Sequence, residues 1–288
     1  MSTRGVAVHR SAAARSSPRS GQPPILPMLA RLGPNKLKAA LRARNSSVPL
    51  GLWASSCSTQ VTELLAHSGL DWLCVDMEHA PNELPDVLAH LQCSQLGGCE
   101  PVVRLPSVDG VLTKRLLDAG ARTLMYPCVE SGDEAAAAVA ATRYPPAGTR
   151  GVMITARMCG YAADPPSLKE YYATAEQNLC VLVQVESPAA VEAIPEMART
   201  GIDGVFVGPS DLAAAIGRIG EPAHPEVQAL VRRAHELCAA SNVACGSIAG
   251  SADGVRQLRE YGANFLALGT DMMLLQNALQ ARLDEVRI

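Results

Sequence analysis

Glu186 and Asp211 carry the strongest chemical signal in this 288-residue sequence. Each follows an apolar, β-branched run: VLVQVE (181–186) ends in the first acid, and GVFVG (204–208) is followed by PSD. Alternation puts Val181, Val183 and Val185 on one face of the first run, and Leu182, Gln184 and Glu186 on the other. Pro188 to Gly201 reads as a helix, so the stretch forms a strand–helix–strand unit, the crossover that parallel strands require. Two carboxylates at the carboxyl ends of neighbouring parallel strands converge on one point. Hard oxygen donors of this kind suit a divalent cation such as Mg2+ or Mn2+, with Co2+ a third choice. Taken singly, either acid would read as a helix cap or a salt-bridge partner.

Other polar residues interrupt apolar runs in the same way. Asp76, Glu78 and His79 lie in VDMEHAPNE, Arg104 in VVRLP, and Arg150 and Gly151 after PPAGT; Gly208, Pro209 and Ser210 precede Asp211. A 2-oxo acid chelates a cation through its carboxylate and keto oxygens, and a Lewis acid there stabilises the enolate beside the keto group. His79 is expected to transfer protons, with Asp76 three residues earlier placed to hold its tautomer and raise its basicity. Arg104 needs an anion, which is either a substrate oxygen or the carboxylate of Asp76 or Glu78. The GPSDL turn opens a helix whose free amides offer a carboxylate seat. His67, His90, His224 and His235 read as surface or packing residues.

Eight strand-like runs position these residues: 50–55, 71–76, 101–106, 123–129, 181–186, 204–208, 244–249 and 265–269. Helix-like stretches separate them, and a further short helix with Asn35 as its cap precedes the first. Strands alternating with helices over this length predict a (β/α)8 TIM barrel, with active residues at the carboxyl ends of its strands. A doubly wound sheet is the competitor, but no Gly-rich nucleotide loop follows the first run. The long connection from Tyr144 to Asn178 is expected to lie over the active face as a lid or partner-contacting loop. No Lys occurs in any strand-like run.

Composition narrows the partners. Apolar residues make up 48% and aromatics only 3%, so Val, Leu, Ala and Ile are expected to build the core. No apolar run approaches the ~20 residues of a membrane span. Residues 1–50 hold nine Lys/Arg and no acid, whereas the remainder is strongly acidic, which argues against nucleic acid. The Arg-, Ser-, Ala- and Pro-rich segment 1–31 is expected to be an unpacked extension. It has the composition of a chloroplast or mitochondrial transit peptide, the alternative being a cytoplasmic protein. Residues 32–288 are expected to form the barrel domain. Nine cysteines, odd in number and without a CxxC pair, read as buried free thiols.

In order along the chain, GLW, DW-x3-D-x-EHAPN, PVVR, RYPP-x-G-x-RG, LVQ-x-E and GVF-x-GPSDLAA resemble the HpcH/HpaI aldolase family, from about Asn35 to the C-terminus. The resemblance implies a pyruvate-type barrel that uses a divalent metal to cleave 4-hydroxy-2-oxo acids to pyruvate and an aldehyde. It implies metal ligands at Glu186 and Asp211, a base at His79 oriented by Asp76, and enolate stabilisation by Arg104. Gln184, Gly208 and Ser210 fall where pyruvate is held. It further implies a homo-oligomer, a hexameric dimer of trimers that exchanges the last helix, Asp271 to Val286. Met153 departs from the common RGVG, where this chain reads Arg150, Gly151, Val152, Met153, and the loop ARMCGYAADPPSL is individual, so aldehyde preference is expected to be set there. An acyl-CoA lyase of the malyl- or citramalyl-CoA type and a non-catalytic barrel binding small oxo acids are the alternatives.

Overall fold

The computed structural model describes residues 33–44, 47–163 and 165–287. The expected targeting extension, 1–31, lies outside the described residues. Eight parallel strands close into a barrel in sequence order. They are β1 (Leu50–Ala54), β2 (Trp72–Asp76), β3 (Glu100–Arg104), β4 (Thr123–Tyr126), β5 (Cys180–Val185), β6 (Gly204–Val207), β7 (Ala244–Ile248) and β8 (Phe265–Thr270). Every strand-like run thus becomes a strand, and the fold is the expected (β/α)8 barrel. The runs were legible because helices cover the outside of a closed parallel sheet, leaving its strands apolar nearly throughout.

Helix α1 (Lys36–Ala43) begins at Asn35, whose side chain accepts from the Lys38 amide, as the sequence predicts. It closes the amino-terminal end of the barrel with Leu37 and Leu41, while Lys38 pairs with Asp203 at 3.0 Å. The outer helices are α2 (Thr59–Ala66), α3 (Leu84–Gly97), α4 (Gly110–Ala119), α5 (Gly132–Thr142), α6 (Pro165–Asn178), α7 (Pro188–Met197), α8 (Pro209–Ala215), α9 (Pro225–Ala240), α10 (Ala252–Glu260) and α11 (Asp271–Val286).

Two separate layers of core hold the barrel. Outside the sheet, Val, Leu, Ala and Ile pack against the helices as expected. Inside it, the few large aromatics are concentrated: Trp53, Trp72, Phe206 and Phe265 fill the lumen, with ring centroids 4.9–6.0 Å apart. Small residues make room for them. A Cβ on Gly51 would lie 2.1 Å from the Trp72 ring, and one on Gly246 would lie 2.7 Å from Phe265. The expectation of a purely aliphatic core is therefore corrected for the lumen.

The segment 144–178 is also corrected. It holds a 3-10 turn (Arg157–Ala162) and α6 rather than a lid. Arg157 donates to Ala119 O and Gln95 Oε1 (both 2.9 Å), Arg150 donates to Asp118 Oδ1 (3.1 Å), and Asn35 bonds Asn178. These partners lie at the carboxyl ends of α3 and α4 and beneath β4, the end of the barrel opposite the active face. The Arg150 guanidinium lies over the Tyr144 ring at 4.5 Å. Within this chain, Arg150 and the loop after it stand away from the strand ends.

His235 on α9 is buried, and neither ring nitrogen has a hydrogen-bond partner among the described residues. Burial pushes it down to about 4. Below its usual value near 6.5 the unfolded chain binds the proton first, so stability falls as pH drops from 6.5 towards 4. The loss reaches up to about 3 kcal/mol. His235→Leu is expected to stabilise the protein, with a larger gain at pH 5 than at pH 7.5, measured by urea unfolding. An equal gain at both pH values would overturn this assignment.

Candidate active site

At the carboxyl ends of the strands, one cleft of about 400 Å³ is lined by Trp53, Ser55, Asp76, His79, Arg104, Gln184, Glu186, Phe206, Gly208, Pro209, Ser210, Asp211, Ile248 and Thr270. All eight residues expected to form the site, Asp76, His79, Arg104, Gln184, Glu186, Gly208, Ser210 and Asp211, line it. The strands explain the convergence. Asp76 and Arg104 are register partners at the ends of β2 and β3. Glu186 follows β5, and Gly208 follows the adjacent β6.

Arg104 satisfies both of its candidate partners at once. Its Nε and Nη2 donate to Asp76 Oδ1 and Oδ2 at 2.9 and 2.8 Å, and its Nη1 lies 2.8 Å from Glu78 Oε2. Its guanidinium carbon stands 5.6 Å from the centre of the Trp53 ring. A guanidinium has five N–H donors, so two remain for an oxyanion in the cleft.

Asp76 does not hold the His79 imidazole, which corrects the expected Asp–His pair. Its carboxylate accepts the backbone amides of Glu78 (3.0 Å) and His79 (3.3 Å) instead. A residue three positions after a strand end in a tight turn presents its amide, rather than its ring, to the carboxylate. The ring itself is 66% exposed at the cleft mouth, 3.9 Å from Glu78 Oε1. Asp76 therefore positions His79 through the main chain.

Across the cleft, Gln184 Nε2 donates to Glu186 Oε1 at 3.0 Å, as their shared strand face predicts. The Cys128 amide donates to Glu186 Oε2 at 2.9 Å. Cys128 reaches that position with a left-handed backbone (φ 51°), an uncommon conformation for a non-glycine residue. Its thiol is exposed, contrary to the expectation of burial. It is pushed up to about 12 by partial burial and the charge of Glu186, which keeps it protonated.

Burial pushes the Glu186 carboxyl above its usual range, and the charge of Asp211 adds to this. A Cβ on Gly208 would come 2.8 Å from Glu186 Oε1, so glycine keeps that oxygen accessible. Gln184 Oε1 is buried without a partner among the described residues. A divalent cation fits this environment: two carboxylates would hold it, and water and substrate oxygens would complete its coordination. Helix α8, seven residues long, opens here; Pro209 at its start has no N–H, which leaves the amides of Ser210 and Asp211 without an intrahelical partner.

Sequence reasoning did not single out Trp53, Ser55, Ile248 or Thr270. Ser55 and Thr270 belong to the β1–β8 wall, which lies across the eight-stranded barrel from β5. Asp271 ties that wall together by accepting the Ser55 and Ser56 amides at 2.9 and 3.1 Å. The SSCS string after the first strand was the available signal, noted in the sequence only for lacking a nucleotide loop.

The family model described as HpcH/HpaI aldolase/citrate lyase matches residues 49–278. A Citrobacter koseri protein named 5-keto-4-deoxy-D-glucarate aldolase is 40% identical over 252 residues, covering 87% of this chain and 96% of its own. A crystal structure of an HpcH/HpaI aldolase/citrate lyase family protein from Burkholderia cenocepacia J2315 aligns with a TM-score of 0.83 and 42% identity, over 88% of this chain and 100% of the other. An HpcH/HpaI aldolase from Desulfitobacterium hafniense DCB-2 aligns with a TM-score of 0.80 and 27% identity, over 87% and 96% of the two chains. The chain belongs to the HpcH/HpaI aldolase/citrate lyase family.

Proposed function

We propose that this protein is a class II aldolase that cleaves a 4-hydroxy-2-oxo acid reversibly to pyruvate and an aldehyde. The observation that carries the reading is the convergence of His79, Arg104, Glu186 and Asp211 on one cleft whose lining contains no lysine. Glu186 and Asp211 would hold a divalent cation, which when bound supplies the Lewis acidity that polarises the keto group. His79, at the mouth, takes the proton of the C4 hydroxyl as the C3–C4 bond breaks, which releases the aldehyde and leaves the pyruvate enolate. Arg104 offers its two remaining N–H donors to the enolate or carboxylate oxygens. Protonation at C3 then gives pyruvate. Gln184, Gly208 and Ser210 line the pyruvate side, and Ser55, Ile248 and Thr270 line the facing wall that receives the aldehyde.

The relative's name, 5-keto-4-deoxy-D-glucarate aldolase, supports a sugar-acid substrate. A coupled assay for pyruvate release across a panel of 4-hydroxy-2-oxo acids tests the reaction. Turnover of at least one hydroxylated member is expected, and silence across the panel would overturn it. The acyl-CoA lyase alternative predicts thermal stabilisation by CoA thioesters over pyruvate; we expect the reverse.

Helix α11 supports assembly of copies of this chain. Apart from Asp271 it buries no residue fully, and Met272, Met273, Leu274, Leu275 and Leu279 are exposed along it. An apolar helix of this kind suits packing against a second copy, in the exchanged, hexameric arrangement the family resemblance implies.

A further inference from the structure

A buried line of side chains runs from the outer helices to the turn that carries His79. Thr62 on α2 and His90 on α3 are both completely buried. Thr62 Oγ1 lies 2.8 Å from His90 Nδ1, and His90 Nε2 lies 3.2 Å from Asn82 Oδ1. Asn82 Nδ2 donates to the main-chain oxygen of Asp76 at 2.7 Å. That last bond fixes the polarity of the others. A carbonyl only accepts, so the amide nitrogen of Asn82 faces Asp76 and its oxygen faces the ring. Nε2 of His90 therefore carries the proton, and Nδ1 accepts from the Thr62 hydroxyl. Burial pushes His90 below the ordinary histidine value, in keeping with a neutral ring, while Asp86 and Asp271 act in the opposite sense.

We propose that His90 is a positioning residue for the aldolase site, acting through Asn82 to tie the end of β2 to α3 and so hold the 76–82 turn in place. The assignment rests on the reading of His79 as the base and Arg104 as the enolate donor. Asp76 is the common point. Its carbonyl takes the Asn82 amide, while its carboxylate takes the Glu78 and His79 amides and two bonds from Arg104. A shift of Asp76 therefore moves the imidazole and the guanidinium together. An aliphatic residue at position 90 would fill the space between α2 and α3 equally well. The imidazole adds a donor that meets one acceptor, and that acceptor lies on the catalytic turn.

The test compares His90→Leu with His90→Gln. Leucine keeps the packing but leaves Asn82 Oδ1 buried and unpaired. A glutamine amide donates to Asn82 and accepts from Thr62, restoring the tie. In His90→Leu, kcat for cleavage is expected to fall on the order of 10- to 100-fold while KM changes by less than about twofold, as misplacement of reacting groups produces. Exchange of the Glu78 and His79 amide protons is expected to speed up roughly tenfold relative to the amides of β5 and β6. His90→Gln should return both to near-native values. If the leucine variant keeps native kcat and native exchange, or the glutamine variant is as impaired as leucine, the proposal fails.

Nitrogen NMR of the native protein provides a check that needs no variant. His90 should appear as the Nε2–H tautomer, and an Nδ1–H tautomer would overturn the assignment. If no 4-hydroxy-2-oxo acid is cleaved, the aldolase reading falls. The amide exchange and the tautomer still decide whether the tie exists.

Discussion

Excess EDTA is expected to abolish pyruvate release, and Mg2+, Mn2+ or Co2+ to restore it. The loss should exceed roughly a thousandfold, the order of several kcal/mol of charge stabilisation at a developing enolate. The argument starts from what the cleft lacks and what it contains. The other way to make an enolate from a 2-oxo acid is through a Schiff base, which needs an amine at the reacting carbon. The chain has four lysines, at 36, 38, 114 and 169. The first two lie on α1 at the opposite end of the barrel, the others on the outer helices α4 and α6, and none lines the cleft. Glu186, by contrast, is buried, and its carboxyl is pushed up by that burial and by the charge of Asp211, which stands exposed at the start of α8; a cation held by the two acids would relieve both effects. Calorimetric titration with Mn2+ measures this directly. Glu186→Ala and Asp211→Ala should each lose binding, while His79→Ala should bind as the native protein does. Full activity in excess chelator would sink the class II reading.

The site was legible to the extent that strand periodicity reaches it. The face shared by Gln184 and Glu186 follows from alternation, and their hydrogen bond bears it out. Asp76 and Arg104 were singled out as charges in apolar runs, yet their pairing depends on the register of β2 against β3, which neither run states. Assigning Asp76 to the His79 ring came from counting residues without considering the turn, where amides rather than side chains face back to the strand end. The segment 144–178 was misplaced for a reason of topology. A helix leaving a strand end carries the chain to the opposite end of the barrel, so Tyr144, just after α5, already stands there. Asn178 precedes the start of β5 and stands there too. The length of the segment gave no indication of this, but the positions of its two ends did. His90 and His235 look alike in sequence, each a histidine on an apolar helix face. One has two partners, 8 and 28 residues away, and the other has none among the described residues. Only the fold separates them.

His79→Ala should lower cleavage by roughly 100- to 10,000-fold, the range typical of a lost general base, while leaving Mn2+ affinity unchanged. The geometry sharpens this prediction. The imidazole has no bond to Asp76 and is exposed at the cleft mouth, so truncating it disturbs neither the Asp76–Arg104 pair nor the two acids, Glu186 and Asp211, that follow β5 and β6. The variant should therefore fold with native stability and bind pyruvate as well as the native enzyme does. Its defect should lie in kcat, because the base acts only as the C4 hydroxyl gives up its proton. Asp76→Asn makes the contrast. It keeps the size of the side chain but takes the charge from beneath Arg104 and weakens the acceptor for the Glu78 and His79 amides. It should raise KM as well as lower kcat, since both the guanidinium and the turn lose their anchor. Steady-state kinetics of the two variants on one 4-hydroxy-2-oxo acid separates the roles. A near-native rate in His79→Ala would mean that the base is not the residue at the mouth of this cleft.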